Sequence, residues 1–180
     1  MKNTIKEFIK NIIPVLLGVL IALFIDNWNE QRKDTIYINN FYSSLKKEFR
    51  DTNNEIIKKV PKQKALVDTL EFYENDEKTP LIQVIEKAGG INGPLVKLNY
   101  WKALSSSKIE LLDYNKLSVL ADIEEGNEIL KYKRNKIIDF AYSNLYKTSK
   151  KEKTLLKIMM MDLMNTQREI QNDLKKVLKE

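Results

Sequence analysis

The stretch Pro14–Glu30, PVLLGVLIALFIDNWNE, decides the fold of this chain, because a purely apolar run gives way there to an aspartate, a tryptophan and ordinary polar residues. The uninterrupted apolar segment is Ile12–Ile25, and it follows the lysines Lys2, Lys6 and Lys10. A basic start before an apolar segment is typical of secretory signals and of signal anchors. Three interpretations are therefore open: a cleaved signal, a buried or surface-lying helix, and a permanent membrane anchor.

The residues around the apolar segment favour the anchor. No pair of small residues suited to signal cleavage ends the segment, and it has no polar face, so a helix lying on the membrane surface fits poorly. Its length of about 14 residues is below the roughly 20 that cross a hydrocarbon core. Phe8 extends the apolar face, Trp28 supplies an interfacial ring, and Lys10 can snorkel to the headgroups. The predicted organisation is a basic tail at 1–11, a transmembrane anchor at 12–28 and a helical domain at 29–180.

Four residues of this segment recur at every fourth position and share one helix face: Pro14, Gly18, Ala22 and Asp26. Gly18 and Ala22 form a small-xxx-small pattern, which lets two helices approach closely in lipid. A carboxylate such as Asp26 is costly against lipid and should face water or other helices. In a ring of copies it would line a cation pore. The simpler interpretation is a polar stop in the headgroup region, and both stay open.

The composition indicates long helices and argues against an enzyme. The chain has 180 residues with only five Gly and four Pro, and it is 43% hydrophobic and 31% charged. It contains neither His nor Cys, which removes the commonest general base, the thiolate nucleophile and the favoured transition-metal ligands. The serines of 105–107 are expected to serve a turn and helix caps, since no catalytic partner accompanies them. We expect no enzymatic activity and no cofactor. The remaining candidate carboxylates are scattered at Glu110, Asp113, Glu124 and Glu125.

Helical spacing of apolar residues predicts an all-α fold, in which the membrane helix continues into a long helix and then a bundle. Pro61 is expected to end or kink that first helix. Thr79 is expected to cap a short helix that starts with Pro80, and the glycine-rich stretch 88–94 is expected to stop it. The predicted helices after the anchor are 29–60, 62–74, 80–87, 95–105, 116–147 and 154–179.

The last helix carries a heptad pattern of about three repeats, with one polar member, Gln167. This seam is expected either to pack on residues 38–60 of the same chain or to join copies. Its members are Leu156, Met160, Leu163, Gln167, Ile170, Leu174 and Val177.

The net charge of +6 is concentrated in the C-terminal half, where tyrosines lie among basic residues. The candidate anion or lipid contacts are Lys131, Lys133, Arg134 and Lys136. The tyrosines Tyr132, Tyr142 and Tyr146 also fit an apolar face, so core or partner packing is favoured over base stacking. Nucleic acid is not expected as a partner, and anionic lipid is a further interpretation.

Two segments carry a resemblance to a known family. GVLIALFIDNWNEQRK (18–33) and WKALSSSKIELLDYNKL (101–117) resemble an uncharacterised bacterial family of single-pass membrane proteins, domain of unknown function 6090. Ser107 stands where that family usually has glycine, and Asp26 stands where it has asparagine. The resemblance implies a one-span helical membrane protein, and it implies no activity.

These observations lead to a functional expectation with two forms. The first is a single-pass homo-oligomer in the bacterial cytoplasmic membrane, acting as a gated cation pore or as an effector of a stress or antiviral response. The second is a membrane-tethered scaffold that docks another envelope protein. The expected partners are the lipid bilayer and further copies, with a second protein left open. The balance of basic residues around the span leans slightly toward a periplasmic domain.

Overall fold

The computed structural model describes the backbone of residues 2–179 and the side chains of residues 10–179. All regular secondary structure in that part of the chain is helical, which confirms the predicted all-α fold with a long first helix followed by a bundle. A single 3₁₀ turn, Ile109–Leu111, joins the third and fourth helices. The helices are α1 (Lys2–Phe72), α2 (Leu81–Lys87), α3 (Asn99–Ser105), α4 (Tyr114–Asn144) and α5 (Lys150–Lys179).

The chain divides into two compact units, Met1–Ser43 and Ser44–Glu180. The first contains the N-terminal part of α1, and the second contains the rest of α1 together with α2–α5. The boundaries predicted after residues 11 and 28 refer to membrane surfaces and stay predictions. The lysine side chains predicted at positions 2 and 6 lie outside the described side chains.

Pro61 does not end the first helix, because α1 continues to Phe72. Proline has no backbone N–H, so one hydrogen bond of the helix is missing at this point. Pro61 lies on the exposed side, whereas the residues that follow on the inner side, Gln63, Leu66 and Leu70, are at most 1% exposed. Burial of that side offsets the lost hydrogen bond, so the helix continues.

The start of α2 also differs from the prediction. Its N-cap residue is Pro80 and not Thr79, and no side chain caps it. The Thr79 hydroxyl instead donates to the Asp76 carboxylate at 2.5 Å, within the loop that precedes the helix. The predicted stop after α2 is confirmed, because Gly89 and Gly90 have φ of +81° and +88°. Their N–H groups donate to the carbonyls of Glu86 and Ile85, a Schellman closure of the helix.

The third helix begins at Asn99, four residues later than predicted. The segment before it has no regular structure. The buried Glu48 carboxylate of α1 accepts hydrogen bonds from the backbone N–H groups of Asn99 and Tyr100, at 2.9 and 3.2 Å. This contact replaces a local cap, so the start of α3 is fixed by a residue 51 positions away.

The fourth and fifth helices form the closest helix pair in the bundle. A Cβ placed on Gly126 of α4 would come 2.9 Å from Cγ1 of Ile170 of α5, so the two helices meet closely at this glycine. Asp113 caps α4 by accepting from the backbone N–H of Lys116, at 3.0 Å. The last helix starts at Lys150, four residues before the predicted start.

Candidate membrane anchor and association surfaces

One helix in the described part of the chain is long and apolar enough to cross a membrane. An 18-residue window of α1 has a mean hydropathy of 1.8, and none of it is buried in the protein. A helix in the core of a soluble domain would be covered by its neighbours. The core-helix interpretation therefore has no support, and a membrane span is compatible with the length and composition of the segment.

The apolar segment is exposed on every side. Val15, Leu16 and Leu17 are 67%, 54% and 52% exposed, and Phe24 is 72% exposed. Because these residues point in different directions around the helix, the exposed surface is a complete apolar cylinder and not one stripe. Contiguous apolar surfaces of that kind mark contact with a membrane or with another protein.

The residues predicted for helix association and for a pore lie on this same exposed helix. Gly18 has nothing within 4 Å of the position a Cβ would take, and Ala22 and Asp26 are exposed. Their spacing of four residues on a continuous helix places all three along one face. Lys10 and Trp28, the predicted interfacial residues, are exposed near the two ends of the apolar segment. Contacts of these residues with lipid or with further copies stay predictions.

The heptad seam of α5 is used within the chain. Its seven members are between 0% and 7% exposed, so they pack inside the bundle. Joining copies through this seam would require α5 to leave its own bundle. The seam therefore does not support the alternative in which it links protomers.

A buried polar contact connects the seam to α1. The Gln63 side-chain amide donates to Oε1 of Gln167 at 2.9 Å and to the backbone carbonyl of Asn92 at 3.1 Å. Both glutamines are at most 1% exposed. The sequence marked Gln167 as the polar seam member but missed Gln63. Heptad spacing could have identified Gln63 as a buried residue, because it lies seven positions after Ile56.

Two of the candidate catalytic carboxylates have structural partners instead. Glu124 accepts from the indole Nε1–H of Trp101 at 2.6 Å, and Trp101 is only 3% exposed. Asp113 caps α4. With Glu48 at its N-terminus, α3 is held by carboxylates from both α1 and α4. Sequence reasoning missed Glu48, since its partner is remote in the chain.

The serine triplet also serves the local backbone. The hydroxyl of Ser105 donates to the carbonyl of Lys102, and those of Ser106 and Ser107 donate to the carbonyl of Ala103. The turn and capping role predicted for them is confirmed. Among residues 10–179, no group of His, Cys, Asp or Glu side chains is arranged to hold a metal ion.

Two of the four basic residues in the α4 cluster are paired with carboxylates. Lys131 pairs with Glu128 at 2.7 Å, and Lys133 pairs with Asp162 of α5 at 2.8 Å. Lys136 lies over the ring of Tyr132 at 5.6 Å. Arg134 and Lys136 are the two members of the cluster without a carboxylate within 4 Å among residues 10–179.

The three tyrosines near this cluster are not part of the core. Tyr132, Tyr142 and Tyr146 are 64%, 74% and 83% exposed, so the prediction of core packing is wrong for all three. Their spacing matches the apolar period of the helix, but the inner side of α4 is occupied by other residues such as Ile137 and Ala141. Packing against a partner stays a prediction.

A cluster of ionic contacts fixes the loop between α1 and α2 to the start of α5. Hydrogen bonds from Lys157 and then Thr154, each at 3.0 Å, hold the pKa of the Glu74 carboxyl below its ordinary value. Hydrogen bonds from the Thr79 hydroxyl and the backbone N–H of Lys78 lower the pKa of Asp76. The fully buried Lys153 donates to the carbonyl of Asp76.

Comparisons with protein-family models, with curated protein sequences and with solved structures give no match to this chain.

Proposed function

We propose that this chain is a non-enzymatic, single-pass protein of the bacterial cytoplasmic membrane that forms a homo-oligomer, and that it belongs to the family its sequence resembles. One observation carries the proposal: the apolar segment 12–25 is exposed on every side, while the unit Ser44–Glu180 has a buried apolar core. The segment therefore presents its apolar side chains to something other than that core. A lipid bilayer suits it, because α1 contains an apolar window long enough to cross the hydrocarbon region.

Self-association through the span is the next step of the proposal. Between helices in lipid the hydrophobic effect gives no drive, so close packing at small residues decides which faces meet. Gly18 and Ala22 provide such a face, and the open space beside Gly18 leaves room for a second backbone. The bundle seam is already buried, which directs association to the span.

Native mass spectrometry in mild detergent tests this step. The unaltered chain is expected as one defined oligomer, and Gly18→Ile should shift it toward the monomer because the added side chain separates the helices. Leu20→Phe adds bulk on the other side of the same helix and should leave the oligomer intact. A monomer of the unaltered chain, or equal effects of the two substitutions, contradicts the proposal.

A cation path along Asp26 is the specific form of this function. Asp26 continues the face of Gly18 and Ala22 and is exposed, so in a closed ring its carboxylates would converge. Recording from planar bilayers is the test, since Asp26→Asn removes charge while preserving size. We expect cation-selective conductance that Asp26→Asn reduces and that Asp34→Asn, which lies off this face, does not. Equal currents in all three proteins would contradict a path through Asp26.

A tether that docks another envelope protein is the second candidate function. Leu155, Ile158 and Met161 are 40%, 54% and 50% exposed on the outer side of α5, a position that suits contact with a partner. This function predicts a monomeric span and no conductance. The two functions are thus separated by the same mass-spectrometric and electrical measurements.

A further inference from the structure

A small cavity of about 40 Å³ lies between the segment 93–96, α4 and α5. Apolar side chains form most of its lining, including Pro94, Leu130 and Leu163. Its polar lining comes from three residues of α4: Asn127, Lys131 and Arg134. The separation of polar and apolar lining suits a small ligand that has one charged end.

The Arg134 guanidinium is the cation available at this cavity. Lys131 is paired with Glu128 at 2.7 Å, whereas no ion pair or hydrogen bond engages Arg134 among residues 10–179. The stem of Arg134 lies beside Gly93, where an added Cβ would be 3.5 Å from Cδ. A part-buried arginine with no carboxylate partner is poised to meet an anion.

Asn127 supplies a second polar group without a protein partner. Its side chain is 3% exposed, and it makes no hydrogen bond to the described side chains or backbone. Its amide is therefore available for a hydrogen bond to water or to a ligand that enters the cavity. Since Asn127 and Arg134 line the same cavity, one ligand can satisfy both.

The segment 93–96 is itself held in place by contacts from α1. The Glu55 carboxylate accepts from the backbone N–H of Leu95 at 3.3 Å, and the Gln63 amide donates to the carbonyl of Asn92 at 3.1 Å. The wall of the cavity is therefore built from long-range contacts and not from a loose loop. A ligand that enters this cavity would therefore not have to order its walls, which favours binding.

We propose that this cavity binds a small monocarboxylate with a short aliphatic tail. The guanidinium would take the carboxylate through two parallel hydrogen bonds, the Asn127 amide would donate to one oxygen, and the tail would lie on Pro94, Leu130 and Leu163. A phosphate has further charged oxygens, which would face apolar side chains and lose their hydration. The volume limits the ligand to a few heavy atoms, as in acetate, propionate and butyrate.

Ligand-observed NMR on the full chain in mild detergent tests this site, with acetate, propionate, butyrate and inorganic phosphate as probes. We expect propionate or butyrate to bind with a dissociation constant of roughly 1 mM, as ligands of this size permit, and to bind more tightly than phosphate. Arg134→Gln should weaken binding at least tenfold. Arg134→Lys keeps the charge but loses the two parallel N–H donors of the guanidinium, and it should weaken binding less.

Lys136→Gln is the matched control, because Lys136 is an exposed cation on the same helix that does not line the cavity. It should leave binding unchanged. Thermal unfolding of each variant shows whether the bundle is intact. The site is overturned if the unaltered chain binds none of the carboxylates, if phosphate binds more tightly, or if Lys136→Gln weakens binding as much as a folded Arg134→Gln does. None of these outcomes bears on the membrane anchor.

Discussion

Replacing Gly126 by alanine is expected to destabilise the bundle, although alanine is the better helix former. The new Cβ would lie 2.9 Å from Cγ1 of Ile170, at least 0.5 Å inside the usual carbon–carbon separation of about 3.5–4.0 Å. Ile170 is 2% exposed and cannot move into solvent. Crowding a packed core costs about 1–3 kcal/mol, and the gain in helix propensity is about 1 kcal/mol. The net loss should be about 1 kcal/mol, which lowers Tm by about 2–4 °C in a chain of this size.

The decisive comparison places the same substitution in an Ile170→Ala background. There the crowding atom is gone, so Gly126→Ala should raise Tm by about 2–4 °C relative to Ile170→Ala alone. Thermal unfolding followed by circular dichroism in mild detergent measures both effects. Ala121→Gly, at an exposed site of α4, measures the propensity contribution separately. If Gly126→Ala stabilises the protein equally in both backgrounds, the close approach of α4 and α5 at this glycine is refuted.

Three further predictions concern the domain. Glu48→Ala should lower the free energy of unfolding by about 2–4 kcal/mol, because two backbone N–H groups at the start of α3 lose their acceptor. Glu48→Gln should lower it less. If thermal unfolding distinguishes neither variant from the unaltered chain, Glu48 does not cap α3. Because the fold lowers the pKa values of Glu74 and Asp76, their ionised carboxylates stabilise the protein. This stabilisation is fully present at a pH above the ordinary pKa values of 4.5 and 3.8, and it is lost as the pH falls through the lower pKa values of the folded state. Glu74→Gln should therefore flatten the acid limb of a plot of Tm against pH, and an unchanged slope would show that this carboxylate is not involved. Gln63→Leu and Gln167→Leu should each lower the free energy of unfolding by about 1–3 kcal/mol, and the double substitution should lower it by less than the sum of the two. Additive losses in a double-mutant cycle would argue against the buried pair.

Local periodicity predicted most of the architecture. The seven seam residues of α5 are all buried, and the stop at Gly89 and Gly90 follows from the conformational freedom of glycine alone. Asp113 as the cap of α4 is a local signal of the same kind. These features depend on residues within a turn or two of one another, so a single sequence contains what is needed to infer them.

The errors have a common physical origin in contacts between remote residues. Pro61 lies inside α1 because burial of the opposite side of the helix outweighs one missing hydrogen bond. The cap of α3 comes from Glu48, and no local pattern could have shown it. Thr79 has a nearer partner in Asp76 than the helix it was expected to cap. Tyr142 is exposed although it follows the helical spacing of apolar residues in α4, so that spacing alone does not determine which side chains other helices bury.

The candidate functional residues divide in the same way. Gly18, Ala22 and Asp26 were found from spacing alone, and their exposure on one helix face agrees with that spacing. Arg134 was grouped with three lysines of similar charge, and only the packing of α4 separates it from Lys131 and its partner Glu128. Charge is visible in a sequence, but ion pairing between side chains is not.

The most direct measurement of the central proposal is the accessibility of residues in the apolar segment while the protein is in a membrane. The chain contains no cysteine, so single cysteines can be introduced and labelled without background. In opened membrane fragments, a water-soluble maleimide should label Asp34→Cys rapidly. Val19→Cys should stay unlabelled until detergent and denaturant dissolve the bilayer and unfold the protein. Labelling of Val19→Cys at the rate of Asp34→Cys in intact bilayer fragments would contradict the membrane span.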